Sequence, residues 1–238
     1  MARSKRSQAS VCSSVSFLGV LMPQPIGFRD REKINFDFSS GAVLRRPQLA
    51  AYIAAISNFW NEIEARISIF LAALLGGEAS TVITIFLALK SDASKRQIID
   101  SVVAMKLDDN LKPTFTDAMK VLGARSEERN RMIHGGWGVS NDYPDELLWS
   151  DVRETNIGVV EIMKLGAAGD TEGQLKFMRE QLKGVRVYEE NDFIDIYNRM
   201  VDAYNQLDAV VGPIISRAFG GNFAPYSKVH VPKKQPHP

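Results

Sequence analysis

ISIFLAALLGGEASTVITIFLAL, residues 67–89, carries a single charge, Glu78, and is long enough to cross a bilayer. How it is read decides the fold. Taken as continuous it is a membrane span; taken as broken at Gly76-Gly77 it is two helices that share a core. The broken reading accounts for more of the residues, because a glycine pair is a helix-stop signal and Glu78 to Thr81 is a polar restart. Two buried helices meeting at a tight turn are expected, with no membrane as partner.

Working outward, Ile53, Ile56, Phe59-Trp60, Ile63, Ile67, Phe70-Leu71 and Leu74-Leu75 recur at three- and four-residue intervals. One long amphipathic helix therefore fills Leu49 to Leu75, and order is expected to begin near Arg46-Pro47, since proline suits a helix start. A second, apolar helix follows from about Ala79 to Lys90. The Ser91-Asp92 pair can cap a third, running to about Leu107. Lys112-Pro113 opens a fourth, with Phe115, Met119 and Leu122 on one stripe, that stops at Gly135-Gly136. Four helices joined by short turns read as a bundle.

Beyond it, LLWSDV and IGVVEIMKL carry β-favouring residues and flank Arg153 to Asn156, so a small hairpin is expected near 146–165. GQLKFMREQLKG and DFIDIYNRMVDAYNQLDAVV then read as helices, the second packing back on the bundle through Phe193, Ile196-Tyr197, Met200, Tyr204 and Leu207. The fold class is mainly α. Residues 46–220 form the helical domain, between a disordered N-terminal segment, 1–45, with at most a short ordered piece, and a loose tail, 221–238.

With 29 basic and 28 acidic residues the net charge is +1, so nucleic-acid binding would need a local cluster. The single cysteine, Cys12, excludes an intrachain disulfide framework and a cysteine-based zinc site, and suits a cytoplasmic protein. The N-terminus is Ser-rich and lacks a dense apolar run, so it reads as a leader rather than a signal peptide. The phosphate-binding glycine patterns are absent, which sets aside a P-loop enzyme.

One local cluster does exist. ERNRMIHGGWG, residues 128–138, places Arg129, Asn130, Arg131 and His134 at the end of the fourth helix, with Arg125 one turn earlier. Asn130 and His134 are four apart and share a face, so the amide can orient the imidazole. Arg129 and His134 are five apart, about 140° around an ideal helix. They converge on one ligand only if the helix loosens at His134, where Gly135-Gly136 allows a left-handed termination, or if a second copy faces the first. The same residues also suit a charged helix C-terminus that complements the macrodipole, and both readings stand.

Arg129-Asn130-Arg131-Met132-Ile133-His134, followed by glycine and Trp137, resembles the R-x4-6-H signature of the HEPN superfamily of small helical bundles. The similarity extends over roughly residues 48–140, through a long first helix bearing FWNEIEARISIFLAALL and a third opening on SDASKRQIID. The resemblance implies a metal-independent endoribonuclease of toxin–antitoxin or phage-defence type, with Arg129, Asn130 and His134 as site residues and no cofactor. It also implies a homodimer with both motifs at the interface, and an antitoxin protein as a further partner. The alternative is a non-catalytic module of the same type that binds a nucleotide or a protein.

Other residues carry two readings each. Glu62 or Glu64 can reach the motif from the first helix or serve as solvated acids. Lys95 and Arg96 can hold an RNA backbone or sit on a solvated face. Trp137 can stack on a base, but packing over the bundle is the better reading. Asp142, Asp145, Glu146 and Asp151 lack metal-ligand spacing and read as a solvated loop. His230 and His237 fall in the tail, leaving His134 as the one histidine placed for chemistry.

Overall fold

The computed structural model describes residues 23–26, 36–221 and 226–228. Its described part is mainly helical, with a small antiparallel sheet. Four helices follow in the expected order: α1 (Pro47–Leu75), α2 (Ala79–Ala88), α3 (Asp92–Lys106) and α4 (Lys112–His134). Proline stands at the start of α1 and of α4, where its missing N–H costs no helical bond. The apolar run 67–89 is broken where its glycines predicted. Gly76 adopts φ 65°, a left-handed conformation that glycine takes without steric cost, and its N–H closes on the Ala72 carbonyl. No helix among the described residues is long and apolar enough to cross a membrane.

The expectation for α2 needs correcting. Only Phe86 of this helix is buried, and Ile85 and Leu87 are exposed, because α2 packs on α1 by one narrow edge. Ser91 caps α3 as read, accepting a hydrogen bond from Ser94 N–H.

After α4 the chain departs from expectation. The hairpin lies earlier, in β3 (Gly135–Ser140) and β4 (Tyr143–Asp151), and residues 152–167 are helical. Two local causes shift it. Gly135 is extended, so the helix hands over directly to a strand. Asp151 then caps the next helix, α5 (Val152–Ala167), by accepting from Arg153 N–H at 2.8 Å and Glu154 N–H at 3.4 Å. The β-branched run IGVVEIMKL thus sits in α5 despite its propensity, with Ile157, Val159, Val160 and Met163 exposed. The helices α6 (Thr171–Leu182) and α7 (Glu190–Phe219) follow, separated by β5 (Arg186–Tyr188).

Residues expected in the N-terminal tail complete the sheet. β1 (Gln24–Pro25) pairs with β5 at one edge and β2 (Phe36–Asp37) pairs with β3 at the other, giving the order β1-β5-β4-β3-β2. A 3-10 turn, Ala42–Arg45, leads into α1, so order begins before Arg46. Residues 1–22, with Cys12 and the leader, lie outside the described residues, as do His230 and His237. Part of the expected loose tail is docked: the Tyr226 ring meets Phe59 and Tyr204, its hydroxyl donates to Glu62, and its backbone pairs with the Asn205 amide.

The direction of the helices follows from their contacts. Tyr52 stacks on Phe193, Phe59 meets Tyr197 and Tyr204, and Arg66 pairs with Asp208, so residue numbers rise together and α1 runs parallel to α7. Phe70 meets Phe115 while Arg199 binds Glu128, so α4 runs opposite to both. The His134 end of α4 therefore lies with the N-termini of α1 and α7. The sheet covers that end: Leu147, Trp149 and Tyr188 join the bundle core on one face, while Leu148, Val187 and Ile26 form a second cluster on the other.

Arg66 is buried within the bundle, 4% exposed, and its Nε donates to Asp208 at 2.6 Å. Removing one partner leaves the other charge buried and uncompensated. Asp208→Ala should lower unfolding stability by about 3–5 kcal/mol in urea titrations. The double replacement Arg66→Met with Asp208→Leu should recover most of that loss; an unchanged midpoint for the single variant would show that the pair does not tie α1 to α7.

Candidate functional site

The end of α4 is built by two tryptophans. A helix leaves its last carbonyls without intrahelical donors. Here the Trp149 indole N–H donates to the Arg131 carbonyl and the Trp137 indole N–H to the Met132 carbonyl, each at 3.0 Å. The two rings come from directly opposed positions of β3 and β4, and opposed residues of an antiparallel pair share a face. Gly135 is required by the close approach of this cap: a Cβ there would fall 1.7 Å from Trp149 Nε1. No left-handed termination is present, since Gly135 has φ −84° and ψ 160°. Trp137 packs over the bundle as read, edge-on to Tyr188 at 5.1 Å and tilted against Phe193 at 5.7 Å.

The helix stays regular through His134, so the loosening that would let Arg129 and His134 converge within one chain does not occur. Arg129 is half-buried; its Nη1 donates to the Asn130 side-chain oxygen at 2.8 Å, and its Nε is buried without a hydrogen-bond partner. Asn130 therefore holds Arg129 rather than His134. His134 is exposed, and its imidazole has no hydrogen-bond partner among the described residues. Arg125 is not part of a free cluster: Glu128 accepts from it at 2.9 Å and from Arg199 at 2.6 Å.

The remaining candidates are engaged elsewhere. Glu64 accepts from Trp60 at 3.2 Å and from Lys95 at 2.7 Å, tying α1 to α3. Glu62 accepts from the Tyr226 hydroxyl and from Asn58 at 3.3 Å. Arg96 pairs with Asp100 on its own helix face. Asp151 serves as the cap of α5. A cavity of about 160 Å³ opens between the sheet, α5 and α6, lined by Phe38, Ser150, Glu154, Gly158, Met178 and Gln181, and no motif residue lines it.

Sequence reasoning missed Tyr188 and Arg186, because β5 is only three residues long and carries no periodic signal. Tyr188 is buried against the motif end. Burial pushes its hydroxyl up to about 12, against the opposing pull of Arg131 and Arg186. Comparison with family models, with curated proteins and with solved structures finds no match to this chain.

Two outcomes follow from this geometry. Trp149→Phe keeps an aromatic ring, though a smaller one, and removes the donor to Arg131, and Gly135→Ala drives a methyl into the indole; each should lower stability by about 1–3 kcal/mol in thermal or urea unfolding. Equal stability of both variants to wild type would show that the indole does not fix the helix end. Tyr188 ionises less readily folded than unfolded, so its contribution is constant below the ordinary value near 10 and stability is lost as pH rises towards 12. At about pH 11 wild type should lose about 1.4 kcal/mol more than Tyr188→Phe, relative to about pH 8, in paired urea titrations.

Proposed function

We propose that this chain is a HEPN-like, metal-independent endoribonuclease of toxin–antitoxin or phage-defence type that acts as a homodimer. The observation that carries the reading is the state of the α4 end. His134 is exposed and unbonded among the described residues, while Arg129 is held by Asn130 and has no carboxylate partner. A charged helix end needs no such arrangement, and the two indoles already satisfy two of its last carbonyls.

In the proposed reaction the RNA 2′-oxygen attacks the adjacent phosphorus and the bond to the leaving 5′-oxygen breaks. One His134 takes the 2′-hydroxyl proton, and the second copy's His134 gives a proton to the departing 5′-oxygen. Arg129 stabilises the charge that develops on the phosphorane, through the fork geometry that suits phosphate oxygens. Asn130 sets the Arg129 guanidinium. The products are a 2′,3′-cyclic phosphate and a 5′-hydroxyl end.

A second copy is needed because Arg129 and His134 project about 140° apart on a regular helix and one chain supplies one placed histidine. The exposed apolar residues of α5, Val152, Ile157, Val160 and Met163, start beside the motif, since Asp151 pairs with Gly135, and they offer surface for that copy or for an antitoxin protein. The same divergence within one chain favours the second reading, a non-catalytic module that binds a nucleotide or a protein at the motif.

Cleavage of a mixed RNA substrate in EDTA separates the two. Wild type should release cyclic-phosphate ends, and folded His134→Ala should lose at least a hundredfold in rate, the usual range for a missing acid–base group being about 10²–10⁴. Full residual activity in His134→Ala would reject the ribonuclease assignment; an inert but folded wild type would leave the binding module.

A further inference from the structure

Arg131 and Arg186 come from distant parts of the chain and neither is used by the reaction above. Both lack an ion pair or a side-chain hydrogen bond among the described residues. Their placement follows from one cross-strand row of the sheet. Trp137 is opposed to Trp149, and Trp149 is opposed to Arg186. Opposed residues share a face, so Arg186 extends the row formed by the two capping tryptophans, roughly 10 Å across two strand spacings from Trp137. The middle ring, Trp149, holds the Arg131 carbonyl at 3.0 Å. One residue thus positions both arginines: the Trp149 indole anchors the backbone of Arg131, and its backbone pairing across the strands sets Arg186.

The surrounding acids are committed elsewhere. Glu128 is shared by Arg125 and Arg199. Asp192 closes the capping box of α7, accepting from Glu189 N–H at 2.8 Å. Both guanidinium groups pull the buried Tyr188 hydroxyl down while Asp192 and Glu128 push it up, in keeping with the row geometry that brings the two arginines to one neighbourhood. Two forked cations without a salt bridge among the described residues, on separate rigid elements, suit a phosphate approached from solvent.

We propose that Arg131 and Arg186 form a phosphate-binding subsite beside His134 that grips the RNA backbone away from the bond being cut. The inference rests on the RNA reading above. Arg186 is a positioning residue: it orients the strand and takes no part in proton transfer. It stands on β5, outside the stretch that carries the motif.

The test is binding of a labelled single-stranded oligoribonucleotide to full-length His134→Ala protein over a series of salt concentrations, alone and combined with Arg186→Gln or Arg186→Lys. Arg186→Gln should weaken binding about tenfold and reduce the slope of log affinity against log salt by about 0.7, the value for one lost phosphate contact on a single strand. Arg186→Lys should keep the slope, because the charge remains. If His134→Ala binds RNA and Arg186→Gln matches it in affinity and slope, the subsite is rejected and the RNA reading stands. Equal weakening by Gln and Lys with an unchanged slope rejects the subsite as well, since only packing would have been lost. If His134→Ala binds no RNA, both the subsite and the reading it rests on fall.

Discussion

The last carbonyls of α4 have no donors within their own helix, and the indole N–H groups of Trp137 and Trp149 supply two of them. Much of the structure depends on this contact. It fixes where the helix ends, forces Gly135 to lack a side chain, and seats the sheet on the bundle with Leu147 and Tyr188 in the shared core. A glycine cap would have satisfied the carbonyls from the backbone and turned the chain away. The indoles satisfy them from the side, so the chain continues straight into a strand and Arg131 and His134 stay exposed.

Helix direction gives that end its electrostatic character. With α4 opposed to α1 and α7, the negative end of one macrodipole lies beside the positive ends of two others. Charges are then sorted by pairing. Glu128 removes Arg125 and Arg199 from play, the Asp192 carboxyl is spent on the α7 cap, and Arg129 is left to Asn130. A protein with a net charge of only +1 thereby keeps Arg129, Arg131 and Arg186 without a salt bridge among the described residues near one helix end. Neutral composition and such a local grouping are compatible because the paired residues cancel in the sum but not in space.

The first four helices were legible because each carries its own start and stop. Pro47, Ser91 and Pro113 mark starts, Gly76 marks a stop, and the three- and four-residue spacing of apolar residues marks what lies between. The region after His134 was less legible for a physical reason. Gly135-Gly136 is compatible with a turn and with a strand, and the choice was made by Trp149, which stands far along the next strand. Val159, Val160 and their neighbours favour strands locally, yet the Asp151 cap and the packing of α5 on α6 outweigh that preference. The two-residue strands β1 and β2 have no periodicity to read; they exist because the edges of β5 and β3 offer unpaired backbone groups.

By itself, the sequence determined the helix-forming segments, the break in the apolar run at Gly76, and the grouping of Arg129, Asn130 and His134 on the last turns of one helix. These are short-range properties, set by periodicity and capping within a few residues. Only the tertiary structure decided that Asn130 serves Arg129 rather than His134, that Arg125 is neutralised, and that Arg186 joins the motif end. Each of those outcomes depends on which side chains meet across elements. Strand register and helix direction set such meetings, and they emerge only when the chain closes around its core.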